Sequence, residues 1–270
     1  MHVRELTPAD IPRALDLTNE RPFAHCYLAS LLETRRLVSV VGVFDGSDLV
    51  AVASTGANCS STDLTPETAA VLASHLAREG RRSASIVGRQ PNVRLVWDAL
   101  DGRWGSMRVV RDAQPLLVLD HAPLVELDPL VRRATLSELE IIFPACVQMF
   151  TDEVGTSPVA NGMGTAYHER IQGIIEDGRS FVRIVNGVVE FKTEIGATSS
   201  AACQLQGVWV APHLRGKGLS VPAIAAVSAI AMAEVAPAVQ LYVNDFNTAA
   251  RRAYERVGFR HDDTFSTIFF

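Results

Sequence analysis

The stretch Val208-Trp209-Val210-Ala211-Pro212-His213-Leu214-Arg215-Gly216-Lys217-Gly218-Leu219-Ser220 runs through three patterns in turn. Val208 to Val210 reads as the end of a buried strand, Arg215 to Gly218 as a basic loop, and Val221 to Val235 as a long apolar helix. Gly216 and Gly218 lack Cβ and can take positive φ, so consecutive backbone N–H groups can turn toward one point. At a helix N-terminus such amides have no partner and lie at the positive end of the dipole, which favours an anion. Arg215 and Lys217 add full positive charge. The pattern predicts a cradle for a phosphate or pyrophosphate.

Two other phosphate loops do not fit. The P-loop needs a glycine five positions before its Gly-Lys pair and Ser or Thr after it, and here Ala211 and Gly218 stand in those places. The dinucleotide pattern needs a third glycine where Val221 stands. A plain solvated turn is the bland alternative for the loop taken alone.

The sequence downstream decides against the bland alternative. Gln240-Leu241-Tyr242-Val243 reads as a strand and Asn244-Asp245-Phe246-Asn247 as a turn. Thr248 to Val257 is then a short helix, with Asn247 as its N-cap and Gly258 as its C′ residue. Arg215-Gly216-Lys217-Gly218-Leu219-Ser220, with Asn247, Ala250, Tyr254 and Val257-Gly258-Phe259, resembles the acyl-CoA site of the GNAT superfamily of N-acyltransferases. Ser220 departs from the Gly or Ala usual at that place, and serine is small enough to be tolerated there. The resemblance covers residues from about Val131 to Phe270.

That resemblance implies an α/β (α+β) fold with a central mixed, mostly antiparallel sheet flanked by helices. It implies acetyl-CoA as co-substrate, no metal, and transfer of an acetyl group to a primary amine of a small molecule or protein. The backbone of Val208, Trp209 and Val210 would meet the pantetheine arm, the amides from Arg215 to Ser220 the pyrophosphate, and Asn247 the pantetheine. Tyr254 would be the general acid for the leaving thiolate, since a phenol with a pKa near 10 is protonated at neutral pH. The base is harder to place, because the strand before the loop offers Gln204 and Gln206 in place of a carboxylate. Glu194 is the first candidate. Glu190, Asp152, Glu153, His168 and His213 are lesser ones. A non-catalytic acyl-CoA sensor is the alternative, and the two glutamines are compatible with it.

The composition frames these readings. Of 270 residues, 48% are hydrophobic and 20% charged, an ordinary globular mixture for one large or two ordinary domains. The net charge of −5 and the lack of a basic-aromatic stripe argue against nucleic acid as a partner. Cys26, Cys59, Cys146 and Cys203 are scattered without metal-ligand spacing and read as reduced thiols. No apolar run follows Met1-His2-Val3-Arg4-Glu5-Leu6 as a signal sequence would need, and the run from Val221 to Val235 is too short for a membrane span. A cytosolic protein that touches no membrane is expected.

Pro123 and Pro129 mark a linker, which divides the chain into residues 1–122 and 131–270. In the second part Val131 to Thr135 reads as a strand, Ser137 to Thr151 as a helix capped by Thr135 or Ser137, the latter making a capping box with Glu140, and Thr165 to Asp177 as another helix. Asn186-Gly187 predicts a type I′ hairpin. The first part repeats this order more weakly, with a hairpin at Phe44 to Val50 and a long helix at Thr65 to Glu79. Its counterpart of the cradle is Cys59-Ser60-Ser61-Thr62-Asp63-Leu64, which has no glycine and adds a carboxylate that would repel a pyrophosphate. A tandem is therefore expected, with a degenerate GNAT-like domain first, silent toward CoA, and a catalytic one second.

Overall fold

The computed structural model describes residues 1–270. The first part runs β1 (His2–Glu5), α1 (Ile11–Asn19), α2 (Cys26–Glu33), β2 (Val40–Asp45), β3 (Asp48–Thr55), β4 (Asn58–Ser61), α3 (Pro66–Glu79), β5 (Ser85–Arg89), α4 (Gln90–Leu100) and β6 (Val109–Leu119). The second part repeats that order. It runs β7 (Arg132–Arg133), α5 (Leu139–Val154), α6 (Gly164–Glu176), β8 (Ser180–Val185), β9 (Val188–Thr198), β10 (Cys203–Val210), α7 (Ser220–Glu234), β11 (Val239–Tyr242), α8 (Thr248–Val257) and β12 (Arg260–Phe269).

Local chemistry explains most of these elements. Asn186 and Gly187 both have positive φ, 51° and 76°, which matches the type I′ turn between β8 and β9. Thr65 caps α3 by accepting the amide of Thr68, and Asn247 caps α8 by accepting that of Ala250. Gly258 closes α8 at φ 115°, and a Cβ there would lie 2.9 Å from His121 and 3.0 Å from Leu124, so the linker packs where a side chain would stand. One expectation needs correcting. The capping box before α5 is Thr135 with Glu138, and Glu140 instead meets His168 at 2.9 Å. Arg132 grips the Glu138 carboxylate with both terminal nitrogens and so fixes it over the Thr135 amide. A short 3₁₀ turn over Leu136–Glu138 therefore precedes the α-helix.

All strands lie in one twelve-stranded mixed sheet, in the order β1-β2-β3-β4-β5-β12-β6-β11-β10-β9-β8-β7. The centre of that order departs from the chain order. β12, the last strand of the second part, pairs antiparallel with β5 and β6. β6, the last strand of the first part, pairs with β11 from Val239↔Leu119 to Tyr242↔Leu116. Each part thus lends a strand to the other's sheet. Residues 120–131 connect β6 to β7, and the hydrogen-bonded sheet runs through both parts.

Helices cover both faces. In the second part α7 and α8 pack with β9, β10 and β11 around Phe181, Phe191, Ile195, Ile224 and Val257. On the other face α5 and α6 enclose Ile142, Tyr167, Ile171, Val182 and Trp209. Alternation along β10 sends Trp209 to the second of these cores, and Val208 and Val210 pack against the first. Burial of one phenylalanine such as Phe181 or Phe191 contributes about 1.5–3 kcal/mol. The faces of β10 are fixed accordingly.

Candidate functional site

A cleft opens where two parallel strands part. β10 and β11 pair only at Cys203↔Val239 and Gln204↔Gln240. Beyond Gln204, β10 keeps β9 as its sole partner, with a register shift between Gln206 and Trp209. Gly207 sits in that bulge at φ 61°, and a Cβ there would come within 3.0 Å of Met149 and 3.3 Å of the Lys192 ammonium. The positive φ and the close approach both favour glycine in the bulge. Backbone groups on the unpaired edge of β10, around Val208 to Val210, are left to face the opening, at the carboxyl ends of the strands where ligands of open α/β sheets bind.

The basic loop stands at the mouth of this cleft. Gly216 and Gly218 have φ of 75° and 83°, and a Cβ built on either meets nothing within 4 Å. The conformation favours glycine and the space before it is open. The amides of Gly216, Gly218, Leu219 and Ser220 donate to no acceptor in the chain, whereas those of Arg215 and Lys217 turn back to Pro212 and Leu214. α7 begins at Ser220, and Pro222 in its first turn has no N–H to leave unpaired. Unpaired donors at a helix head form an anion site that costs the chain no rearrangement. Lys217 is in no ion pair, while Arg215 pairs with Asp152 at 3.0 Å. His213 belongs to a 3₁₀ turn, Pro212–Leu214, just before the loop.

Asn247 closes the opposite wall. Its side-chain oxygen caps α8 at 3.2 Å, its N–H donates to Asn244, and its carbonyl accepts from Arg251. The backbone is therefore fully used, and the side-chain Nδ2 makes no hydrogen bond within the chain. Tyr254, about two turns further along α8, is 5% exposed and lies edge-on to Phe259 with ring centroids 5.7 Å apart. Its hydroxyl enters no hydrogen bond with the protein. Burial, and then the charge of Glu153, push the phenol above its ordinary range, so it keeps its proton.

Glu194 is 3% exposed and deeply committed. Its Oε1 accepts from Gln206 at 2.8 Å and from Arg170 at 3.1 Å, and its Oε2 lies 3.5 Å from the Lys192 ammonium. Burial alone would raise its pKa, but Lys192 and Arg170 together with these hydrogen bonds outweigh that and hold it below the usual carboxylate range. None of these partnerships can be read from local spacing. Gly196 is one of the positions that make the arrangement possible, because a Cβ there would overlap the Gln206 amide. The lesser candidates are also engaged: Glu190 with Arg183, Asp152 with Arg215, Glu153 with Arg111, and His168 with Glu140. Trp209, next to the bulge, has a buried indole N–H without a partner.

Comparison with known proteins turns this geometry into a family. Residues 154–259 match the model of the acetyltransferase (GNAT) family, a span that holds the bulge, the cradle, Asn247 and Tyr254. Residues 154–259 are a GNAT domain. Residues 38–142 match a domain family of unknown function. Among solved structures, a Drosophila protein aligns at TM-score 0.66 with 15% identity over 99% of this chain and 98% of its own. A GNAT-family acetyltransferase from Colwellia psychrerythraea aligns at 0.54 with 13% identity over 100% of both chains. A tandem GNAT protein from the clavulanic acid biosynthesis pathway aligns at 0.55 with 15% identity over 98% of this chain and 97% of its own. The whole chain therefore has a GNAT fold. No curated protein matches the sequence.

Within that fold the first part has a cleft of the same origin, closed by its own side chains. β4 and β5 pair in parallel at Asn58↔Ser85 and Cys59↔Ile86 and then separate. Asn92 donates to the Thr62 carbonyl at 3.0 Å and accepts the Leu64 amide at 3.3 Å. Asp63 takes Arg21 at 2.8 Å and also Arg89, which reaches across to Asp263 on β12 at 2.5 Å. The amides of Thr62, Leu64, Thr65 and Thr68 are spent on the protein. No helix of the chain is long and apolar enough to cross a membrane, and no group of three or more His, Cys, Asp or Glu is assembled to hold a metal ion.

Proposed function

We propose that this protein is an acetyl-CoA-dependent N-acyltransferase that moves an acetyl group to a primary amine of a small molecule or protein. The observation that carries the proposal is the row of unpaired amides at Gly216, Gly218, Leu219 and Ser220, in open space beside the splayed edge of β10. Those amides and Lys217 would hold the pyrophosphate, the backbone of Val208, Trp209 and Val210 the pantetheine, and Asn247 Nδ2 its amide oxygen. The amine nitrogen attacks the thioester carbonyl carbon, a backbone N–H near Val210 stabilises the oxyanion, and the C–S bond then breaks. Tyr254 gives its proton to the departing thiolate. Glu194 is proposed to take the ammonium proton through water, since it is the ionised carboxylate nearest the bulge.

Residues 131–270 are proposed as the cofactor-binding domain and residues 1–122 as a GNAT-like domain without a CoA loop. A reducing, cytosolic setting fits four cysteines that are all free and buried. One observation favours the acyl-CoA sensor as second reading. Glu194 is already neutralised by Lys192 and Arg170, and β10 carries no carboxylate of its own.

Calorimetry with CoA tests the binding half of the proposal, and release of CoA thiol from acetyl-CoA in the presence of an amine library tests the catalytic half. One CoA per chain is expected, and Gly218→Glu should abolish it by placing a charged side chain in the cradle. Two CoA per chain would overturn the assignment of residues 1–122. Tight binding without thiol release from any amine would leave the sensor.

A further inference from the structure

The exchange of strands sets a buried side chain of the first part against the cofactor cleft of the second. Gln114 lies on β6, opposite Phe265 of β12, and is 3% exposed. Its Oε1 accepts from the Thr267 hydroxyl at 2.6 Å, and its Nε2 donates to Asn244 Oδ1 at 3.0 Å. Asn244 in turn accepts the Asn247 N–H on its carbonyl at 2.9 Å. Asn247 Oδ1 accepts the Ala250 amide at 3.2 Å. Gln114 therefore holds the Asn244 side chain, and the Asn244 backbone holds that of Asn247, which ties the middle of the sheet to the residue assigned to the pantetheine arm.

The same strand holds the backbone of that turn. Val243 N–H donates to Pro115 and Asp245 N–H to Ala113, both at 3.1 Å. Gln114, between these two contacts, supplies the only side-chain bond from β6 to the turn. Residues 244–247 are not a free loop. Their conformation is set by a strand that precedes the linker.

We propose that Gln114 is a positioning residue of the acyl-CoA site, acting through Asn244 to hold Asn247 at the pantetheine. The inference rests on the assignment of that cleft to acyl-CoA. It also makes the first part of the chain a component of the site, although it binds no CoA itself. Gln114 touches no ligand, so its removal should affect the pantetheine end and spare the phosphate end.

The experiment compares two ligands on the full chain by calorimetry. CoA has both ends, and adenosine 3′-phosphate 5′-diphosphate has the pyrophosphate without the pantetheine. Gln114→Leu should weaken CoA by about 5- to 30-fold, the loss of one buried, well-partnered hydrogen bond, and leave the nucleotide within about 2-fold. With a turnover assay, KM for acetyl-CoA should rise by a similar factor with kcat changed much less. Asn244→Ala breaks the same link from the other side and should give the same selective loss. It also serves if Gln114→Leu does not fold. Ser266→Ala removes another buried bond between β12 and β6, to the Arg111 carbonyl at 3.1 Å, and should lower Tm without affecting either ligand. Unchanged CoA affinity in Gln114→Leu and Asn244→Ala would overturn the proposal, as would equal weakening of both ligands. Failure of the parent protein to bind CoA would instead remove the cofactor assignment.

Discussion

Arg215 and Asp152 are joined across the mouth of the cleft: Arg215 Nη2 lies 3.0 Å from Asp152 Oδ2, while Arg215 Nε donates to the Val210 carbonyl at 3.0 Å. One cation thus ties the basic loop to the last turn of α5 and to the end of β10. An anionic ligand must share Arg215 with a carboxylate already in place. Arg215→Ala is expected to raise KM for acetyl-CoA by about 3- to 10-fold with kcat nearly unchanged, because phosphates stay bound through the transition state. Asp152→Asn should lower KM by about 2- to 3-fold, and added salt should shrink both effects, since the pair is partly exposed. A higher KM in Asp152→Asn would mean that the pair holds Arg215 in its working position and does not compete with the ligand.

Tyr254 tests the chemistry apart from binding. Its hydroxyl makes no bond inside the protein, so Tyr254→Phe should keep both Tm and CoA affinity. If the phenol protonates the leaving thiolate, kcat should fall by about 10²–10⁴-fold. Its pKa is raised by burial, so no alkaline limb from this group should appear at or below the ordinary phenol range. Parental kcat in Tyr254→Phe would make the residue core packing and leave protonation to solvent.

Glu194 makes a prediction about acid. Its folded pKa lies below the ordinary carboxylate value, so its contribution to stability is complete above that value and is lost as pH falls through the depressed one. Glu194→Gln should therefore lower stability at neutral pH, by leaving Lys192 buried without its counter-charge, and flatten the acid side of the stability curve. As the base, it would place the acid limb of kcat/KM below the ordinary carboxylate range. A kcat/KM limb near pH 6–7 that survives in Glu194→Gln would assign the proton to another group, with Glu194 left as a structural anion.

What could be read in the sequence was what depends on near neighbours. Arg215 to Ser220, the Asn247 cap, the Asn186-Gly187 turn and Gly258 are each set by conformations that few residue types allow. The Thr135–Glu138 box escaped because Arg132 chooses between two acceptable caps, and a spacing rule does not see Arg132. The company of Glu194 escaped for a similar reason: Arg170 belongs to another helix, and Lys192 reads as an ordinary outward charge in an alternating strand. Exchange of β6 and β12 left no local trace, because Leu116 to Leu119 would suit any central position in a sheet. Asp63 reads in the sequence as a carboxylate that would repel phosphate. The structure adds that Arg89, Arg21 and Asn92 already occupy the donors and acceptors around it.

The place of β12 also bears on how the chain is made. β12, Arg260–Phe269, is made after every other strand of this sheet, yet it is a central one, seated between β5 and β6. Until it arrives, β5 has an open edge, and the ion pair from Arg89 to Asp263 cannot form. The first part therefore cannot finish folding ahead of the second, as independent domains do during synthesis. Contacts of such long sequence separation make closure slow and leave strand edges uncovered while it waits. A chain arrested before Arg260 should be cleaved readily by protease throughout residues 1–122, and extension past Phe269 should protect both parts in a single step. Stable protection of residues 1–122 in the arrested chain would show that the first part closes without its borrowed strand.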